Sequence, residues 1–228
     1  MMRMSKKVSR AAVVSAIALS ALALGSAAAF ASGSFNVTAG SAASGTVVSY
    51  SAATTGTSPQ VTFRDETFGF TLINCASASA GGTVTVVSGH DSNGLGTING
   101  PGTVWNTCTG RTLPWTVTGL DTWGIDATGS TNASGVTPVR ILGVSAHVTN
   151  GSCSFDVTGT VNGTYTNGAT DGTLTLPGTT STLTISNVSG GLCSQLLIIN
   201  GNVVSFKATY KVNATTPSYN PIRINGTI

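Results

Sequence analysis

Residues 143–165 constrain the fold more than any other part of the chain. Apolar and polar residues alternate over residues 144–148 and again over residues 153–157. Alternation with a period of two is typical of strands with one buried face, and Asn150-Gly151 between the two runs is typical of a hairpin turn. The stretch therefore predicts two antiparallel strands joined at Asn150-Gly151.

Short β-rich runs, separated by Gly, Pro, Asn and Asp turns, continue along most of the chain. Thr, Val, Gly, Asn and Ser dominate, and no stretch after residue 31 shows a 3.6-residue apolar period over three turns. We therefore predict an all-β protein, an antiparallel β-sandwich or barrel of about ten to thirteen strands.

A second hairpin is predicted near the end of the chain. Residues 195–199 and 203–212 are β-rich and flank Asn200-Gly201-Asn202, which is typical of a turn. The second of these strands has the stronger pattern, with five apolar side chains on one face: Val204, Phe206, Ala208, Tyr210 and Val212.

The first 31 residues have the pattern of a secretory signal peptide. Four basic residues precede an apolar, small-residue run that ends in Ala29-Phe30-Ala31, a typical cleavage pattern. Cleavage would leave residues 32–228, with no membrane span. We predict a low-complexity leader or edge strand over 32–60 and a β domain over 61–228, and the segments 61–128 and 137–228 are either pseudo-repeats or similar by chance.

Charge is sparse once the predicted signal is removed. Four of the ten basic residues lie in the signal, so six basic residues face seven acidic ones in the remaining chain. Nucleic-acid binding requires a clustered basic surface, and no such cluster is present. The uncharged polar composition suits a protein that is secreted or associated with the cell wall.

Four cysteines follow the signal, and in an exported chain they predict two disulfides. Three connectivities are possible. We favour Cys75–Cys108 and Cys153–Cys193, because each pair brackets a β-meander. A zinc site is not predicted, since no two cysteines lie close in sequence and no histidine is paired with one of them.

Several motifs are shared with a known group of proteins. They are the signal peptide, FTLINC at Cys75, WNTC at Cys108, LPW, GVSAH, GTYTN and FKATYKV. Together they resemble the secreted β-rich proteins of actinomycetes, which are generally uncharacterised, and the resemblance covers most of the mature chain. It implies a Gram-positive secreted protein and brings no catalytic residues. A weaker likeness is to the antibiotic-carrying apoproteins of the neocarzinostatin type, which are shorter and have tighter cysteine loops.

No catalytic, cofactor or metal signature is predicted. The chain contains no G-x-S-x-G nucleophile elbow, phosphate-binding loop or dinucleotide fingerprint. His90-Asp91 is interpreted as a solvated turn, and His147 as a surface or hydrogen-bonded histidine, because it faces away from the apolar side of its strand. The seven carboxylates offer no pair that the sequence selects for glycoside hydrolysis.

Three tryptophans, Trp105, Trp115 and Trp123, fall within nineteen residues. Stacked tryptophans bind sugars in many β-sandwich modules, whereas buried tryptophans contribute large apolar area to a core. We favour core packing, with sugar stacking as the alternative. The function predicted is therefore a non-catalytic structural or ligand-binding protein, whose partner is a cell-wall polysaccharide or a small apolar ligand. The alternatives are a hydrolase of wall polymers and a polysaccharide-binding module.

Overall fold

The computed structural model describes residues 33–179 and 181–228, so the predicted signal peptide lies outside the described residues. The described chain is nearly all β, as predicted, and its only helices are α1 (Gly191–Gln195) and a 3-10 turn (Pro217–Tyr219). The strands are β1 (Ser34–Ala39), β2 (Val47–Thr54), β3 (Val61–Asp65), β4 (Phe70–Thr85), β5 (Val87–His90), β6 (Gly96–Asn99), β7 (Val104–Gly110), β8 (Leu113–Gly119), β9 (Thr122–Ala127), β10 (Val136–Thr149), β11 (Ser154–Thr166), β12 (Gly172–Pro177), β13 (Leu183–Ser189), β14 (Val203–Ala214) and β15 (Ile222–Thr227).

Eight of these strands close into a barrel. Antiparallel pairing runs through β2, β4, β6, β9, β10, β11, β12 and β14 and returns to β2. A closed sheet leaves no free edge, which removes a route to aggregation. The choice between sandwich and barrel, which the sequence leaves open, is therefore decided in favour of a barrel. We call these eight strands the first ring.

The strand pairings form a second closed ring, which uses the remaining parts of the four longest strands. This second ring runs through β3, β4, β7, β8, β10, β11, β13 and β14. Four long strands, β4, β10, β11 and β14, belong to both rings. Each of them changes at least one partner along its length; β10, for example, pairs with β9 over residues 139–142 and with β8 over residues 146–149.

A β-bulge marks the point where β10 changes partner. The register with β11 shifts between Ile141 and Val144, and Gly143 lies within the shift with φ of 66°. Glycine adopts this left-handed conformation without the steric cost of a side chain, and a bulge bends the strand that carries it. The bulge also changes the phase of the alternation, so that Ile141 and Val144 both line the interior.

A three-stranded sheet of β5, β1 and β15 packs against the barrel and supplies part of its interior wall. Ile222 and Ile224 of β15 are buried among the barrel side chains. The Tyr165 hydroxyl of β11 donates to the Ile222 carbonyl oxygen at 2.8 Å. The Asn167 carboxamide donates to the Ile224 carbonyl oxygen and accepts the backbone N–H of the same residue. We call this sheet the cap sheet.

Both predicted disulfides are confirmed. Cys75–Cys108 joins directly opposed residues of β4 and β7, and Cys153–Cys193 joins the residue before β11 to α1. The predicted hairpin around Asn150-Gly151 is also present: β10 and β11 pair up to Thr149 and Ser154, and the Asn150 carboxamide oxygen accepts the backbone N–H of Ser152 and Cys153.

Three sequence expectations need correction. Residues 33–60 are no leader or edge strand, because β2 pairs with β4 on one side and β14 on the other. The predicted strand over residues 195–199 is wrong, since this segment contains the end of α1 and a turn, and the hairpin partner of β14 is β13. The described residues form fifteen strands, more than the ten to thirteen expected, and β1 lies in the segment that was expected to be a leader or edge strand.

Candidate functional site

The interior of the barrel contains an apolar cavity of about 80 Å³. Its walls come from both rings and from the cap sheet, for example Phe63 and Phe206 of the second ring, Ile98 and Ile125 of the first, and Ile222 of the cap. All the side chains that line it are uncharged. We call this space the barrel cavity.

Small residues explain why the space is not filled. The interior of an eight-stranded barrel is just wide enough for its own side chains to fill it. Three lining positions carry only a methyl group: Ala52, Ala80 and Ala146. The large side chains around them are held by one another, as in the edge-to-face contact of Phe63 and Phe206 at 4.9 Å between ring centroids. Empty volume therefore remains between the rings.

Trp105 and Trp123 meet at the cavity wall, one from each ring. Trp105 lies on β7 opposite Ala78, and Trp123 lies on β9 opposite Ile98, so both turn inward. Their ring centroids are 6.4 Å apart with an interplanar angle of 42°. They lie where β4 changes its partner from β7 to β6. The two indoles therefore fill the part of the cavity wall at which β4 changes its hydrogen-bonded partner.

The indole nitrogens of these two tryptophans have no hydrogen-bond partner. They are the only buried side-chain nitrogen or oxygen atoms without a partner in the described part of the chain. A buried polar group that is left unsatisfied costs about 1–3 kcal/mol, and nearly all such groups in folded proteins are paired. Both nitrogens are buried within the packed wall, and Trp123 Nε1 lies against Gly100, which is not among the residues that line the cavity.

Three tyrosines supply the remaining polar atoms of the cavity wall besides Thr103. The Tyr50 hydroxyl donates to the Thr97 carbonyl oxygen at 2.8 Å, and the Tyr165 hydroxyl donates to Ile222. Burial raises the pKa of Tyr50, Tyr165 and Tyr210 well above the ordinary value of 10.0. All three phenols are therefore neutral at physiological pH, and the cavity wall carries no charge.

Trp115 does not join the other two tryptophans. It lies on β8 opposite Cys108, packs edge-to-face on Phe155 at 5.8 Å and donates its indole N–H to the Gly110 carbonyl oxygen at 3.4 Å. It is 7% exposed and does not line the barrel cavity. Trp115 is therefore the aromatic residue opposite Cys108 of the Cys75–Cys108 disulfide.

His147 and Asp156 form a pair on the outer face of the sheet. They are directly opposed on β10 and β11, and His147 Nδ1 lies 2.7 Å from Asp156 Oδ1. Asn187 donates to the other carboxylate oxygen at 2.7 Å. Thr118 lies opposite His147 on β8, yet the structure shows no hydrogen bond between its hydroxyl and the ring.

This pair predicts an acid-dependent contribution to stability. The pKa of Asp156 is lowered from its ordinary value of 3.8, first by the Asn187 hydrogen bond and then by His147. A lowered pKa means that the ionised carboxylate favours the folded state, so its contribution is present above pH 3.8 and is lost as the pH falls through the folded-state value. We expect Asp156→Asn to lower the free energy of unfolding at about pH 7 and to have little effect at about pH 2.

Urea unfolding of both proteins at the two pH values measures this difference. Asp91→Asn is the control, because Asp91 is exposed and its carboxylate accepts from its sequence neighbours Ser92 and Asn93. It should change stability little at either pH. An Asp156→Asn effect of equal size at both pH values would contradict the prediction.

His90 and Asp91 do not pair through their side chains. His90 Nδ1 lies 2.8 Å from the Asp91 carbonyl oxygen, a local contact of an exposed turn. More generally, every acidic side chain is bonded to a neighbouring side chain. The contacts are Asp65 with Asn202, Glu66 with Ser205, Asp91 with Asn93, Asp121 with Ser145, Asp126 with Arg140, Asp156 with His147, and Asp171 with Lys211. The carboxylates therefore hold turns and neighbouring strands together.

Sequence reasoning singled out the tryptophans but missed the cavity around them. Its wall includes Tyr50 and Ala52, which lie in the segment that was expected to be a leader. One signal was available: Val48, Tyr50 and Ala52 recur at every second position and are all buried.

None of the helices in residues 33–179 and 181–228 is long and apolar enough to cross a membrane. Two disulfides are compatible with an extracellular protein. The comparisons with known proteins give no further guide, because no family model, curated protein or solved structure matches the chain.

Proposed function

We propose that this chain is an exported, non-catalytic binding protein that holds a small, uncharged, apolar ligand in the barrel cavity. The observation that carries this proposal is a cavity of about 80 Å³ with apolar walls in the interior of the barrel. An apolar cavity of this kind stays dry, because water needs two or more polar partners, and it is then available to apolar molecules.

Export is supported by the signal-like residues 1–31 and by the two disulfides, which persist in oxidising compartments. The resemblance to secreted β-rich actinomycete proteins points the same way, and association with the cell wall remains part of the proposal. A rigid, doubly closed barrel that is cross-linked twice suits a carrier that works outside the cell.

The two alternative functions have weaker support. A polysaccharide-binding module needs exposed aromatic rings, and here Trp115 and Trp123 are buried while Trp105 turns toward the interior. A hydrolase of wall polymers would use His147 and Asp156, which lie on the outer face of the sheet. Neither alternative uses the apolar cavity, whereas binding of a small ligand in the barrel does.

Filling the cavity is expected to abolish binding of a small apolar probe. We expect xenon and cyclopentane to bind the wild-type protein saturably, measured by shifts of methyl resonances in NMR spectra. Ala146→Leu places three more carbons in a wall position that is 3% exposed, and should weaken binding at least about tenfold at an overpacking cost of about 1–3 kcal/mol.

Ala133→Leu is the matched control, because it makes the same change at an exposed turn position and should leave binding unchanged. If Ala146→Leu does not fold, Ala52→Val provides a smaller filling of the same cavity. The proposal is wrong if the wild-type protein shows no saturable binding, or if the filled variants bind the probes as well as wild type.

A further inference from the structure

Exposed apolar side chains are concentrated at one end of the second ring. They lie in two neighbouring loops, residues 66–69 between β3 and β4 and residues 196–203 between α1 and β14. Four large apolar residues there are each between 40% and 48% exposed: Phe68, Leu197, Ile199 and Val203. Single exposed apolar residues are ordinary on a protein surface, whereas a group of them indicates an interaction site.

Buried hydrogen bonds hold these two loops together. The Asn202 carboxamide nitrogen donates to Asp65 Oδ2 at 2.6 Å and to the Leu197 carbonyl oxygen at 3.0 Å. Asp65 Oδ1 accepts the backbone N–H of Phe68 at 2.9 Å, and both Asp65 and Asn202 are buried. The apolar side chains are therefore held in position before any partner arrives, which lowers the entropic cost of binding.

The turn between β7 and β8 adds a positive charge to the same end. The guanidinium carbon of Arg111 lies 4.7 Å from the centroid of the Phe70 ring, and Phe70 stacks on Phe68 with centroids 6.4 Å apart. Arg111 and Phe70 surround a small cavity of about 10 Å³ together with Leu196 and Ile198. Three turns therefore converge here. We define the end patch as the exposed residues Phe68, Arg111, Leu197, Ile199 and Val203.

Two residues of the end patch have strained backbone conformations. Arg111 has φ of 46° and Leu197 has φ of 59°, in the left-handed region that bulky residues rarely adopt. Because of this turn, Leu196 and Ile198 are buried while Leu197 and Ile199 face solvent. Strain of this kind persists only where the surrounding structure holds it, and it is concentrated at binding sites.

The charge of the end patch is positive and uncompensated. The nearest acid, Glu66, is already engaged, since one carboxylate oxygen lies 3.5 Å from Arg64 Nε and the other accepts the Ser205 hydroxyl. Arg111 forms no ion pair within the described part of the chain. The partner of the end patch should therefore combine an apolar region with negative charge.

We propose that the end patch inserts into the headgroup region of an anionic lipid bilayer, as a peripheral contact. A bilayer receives protruding apolar side chains without a shaped pocket, and its anionic headgroups attract arginine. An exported protein meets the outer leaflet of the membrane that it has crossed. This proposal does not depend on a ligand in the barrel cavity.

A protein partner is a poorer match for the end patch. Protein interfaces are centred on anchor side chains that fill pockets, and the cavity of about 10 Å³ beside Arg111 has room for at most one water molecule. The four apolar side chains expose on the order of 300 Å², whereas a stable interface buries about 800 Å² per partner. A second copy of the chain would meet the same limit.

Co-sedimentation with vesicles tests the proposal. We expect the disulfide-bonded wild-type protein to bind vesicles of phosphatidylcholine and phosphatidylglycerol in equal parts, and to bind pure phosphatidylcholine much more weakly. Arg111→Gln should weaken binding to the anionic vesicles about fivefold. Leu197→Asn should weaken it at least about fivefold, and asparagine tolerates the left-handed conformation at this position.

Leu120→Asn is the matched control. Leu120 is 44% exposed and follows β8 at the end opposite Arg111, so its replacement should leave vesicle binding unchanged. A direct readout comes from Phe68→Trp, whose added fluorescence should shift to the blue on addition of anionic vesicles. Leu120→Trp should show no such shift.

The proposal is overturned if the wild-type protein does not bind the anionic vesicles, or if Leu120→Asn weakens binding as much as Leu197→Asn. Sedimentation velocity tests the competing occupant. A wild-type dimer that Leu197→Asn dissociates, without vesicle binding, would assign the end patch to a contact between copies of the chain. If Leu197→Asn does not fold, Ile199→Asn and the Phe68→Trp fluorescence decide the result.

Discussion

Replacing Trp115 by alanine is expected to lower the free energy of unfolding by about 3 to 5 kcal/mol, as truncation of a buried aromatic side chain does. Trp115 is 7% exposed and packs on Phe155, which is among the largest fully buried side chains of the core. Its removal leaves a cavity beside the Cys75–Cys108 disulfide, in a position where strands on both sides are held in register and cannot collapse.

Equilibrium unfolding in urea measures the effect, with fluorescence and circular dichroism as independent probes. Thr116→Ala is the matched control, since Thr116 is the next residue of β8 and points to solvent. It should change stability by less than about 0.5 kcal/mol. A loss below about 1 kcal/mol for Trp115→Ala would contradict the packing described for this residue.

Removal of either disulfide is expected to destabilise the protein by about 4 kcal/mol in the chain-entropy account. The bridges close loops of similar length, with sequence separations of 33 and 40 residues. Each restricts the unfolded chain, and such a loss is a large share of the stability of an ordinary domain. The paired variants are Cys75→Ala with Cys108→Ala, and Cys153→Ala with Cys193→Ala.

Thermal melting with and without a reductant is the simplest measurement. The melting temperature of wild type should fall strongly on reduction, and each paired variant should lie between the oxidised and reduced wild-type values. Ser152→Ala, beside Cys153 and exposed, is a control that should melt close to wild type. Free thiols in the native protein, or a melting temperature that ignores the reductant, would contradict the prediction.

Local sequence patterns correctly predicted the parts of the fold that depend on residues close together in the sequence. The alternation from Val204 to Val212 predicted one buried face of β14, and all five apolar residues named for that face are buried. The hairpin at Asn150-Gly151 followed from the same rule. These predictions succeed because the side-chain period of a strand is fixed by the backbone.

The same rule failed in segments where alternating burial does not coincide with strand pairing. Over residues 196–199, Leu196 and Ile198 are buried while Leu197 and Ile199 are exposed, yet the segment pairs with no strand. The opposite failure occurs in β10, where the bulge between Ile141 and Val144 changes the phase of a strand that continues through it. A period of two therefore indicates burial more reliably than it indicates strand boundaries.

Closure of the barrel and the position of the cavity could not be predicted from local patterns. Both depend on which strands meet across long sequence separations; β2, for example, pairs with β14. The cavity wall collects side chains from most of the strands, and its two unpaired donors become visible only when every possible partner is placed. The sequence indicated that the tryptophans are important, but their role depends on the residues that surround them in the folded structure.

The four strands shared by the two rings limit how this molecule can be divided. Each ring takes strands from 61–128 and from 137–228, so neither segment contains a complete ring. If the two segments arose by duplication, the copies became interwoven, and neither survives as a module that could be transferred to another protein. The whole barrel, with both of its rings, is therefore the smallest unit that can be inherited or transferred. The new termini of a circular permutation, or a fused protein, should be placed in loops and not within β4, β10, β11 or β14.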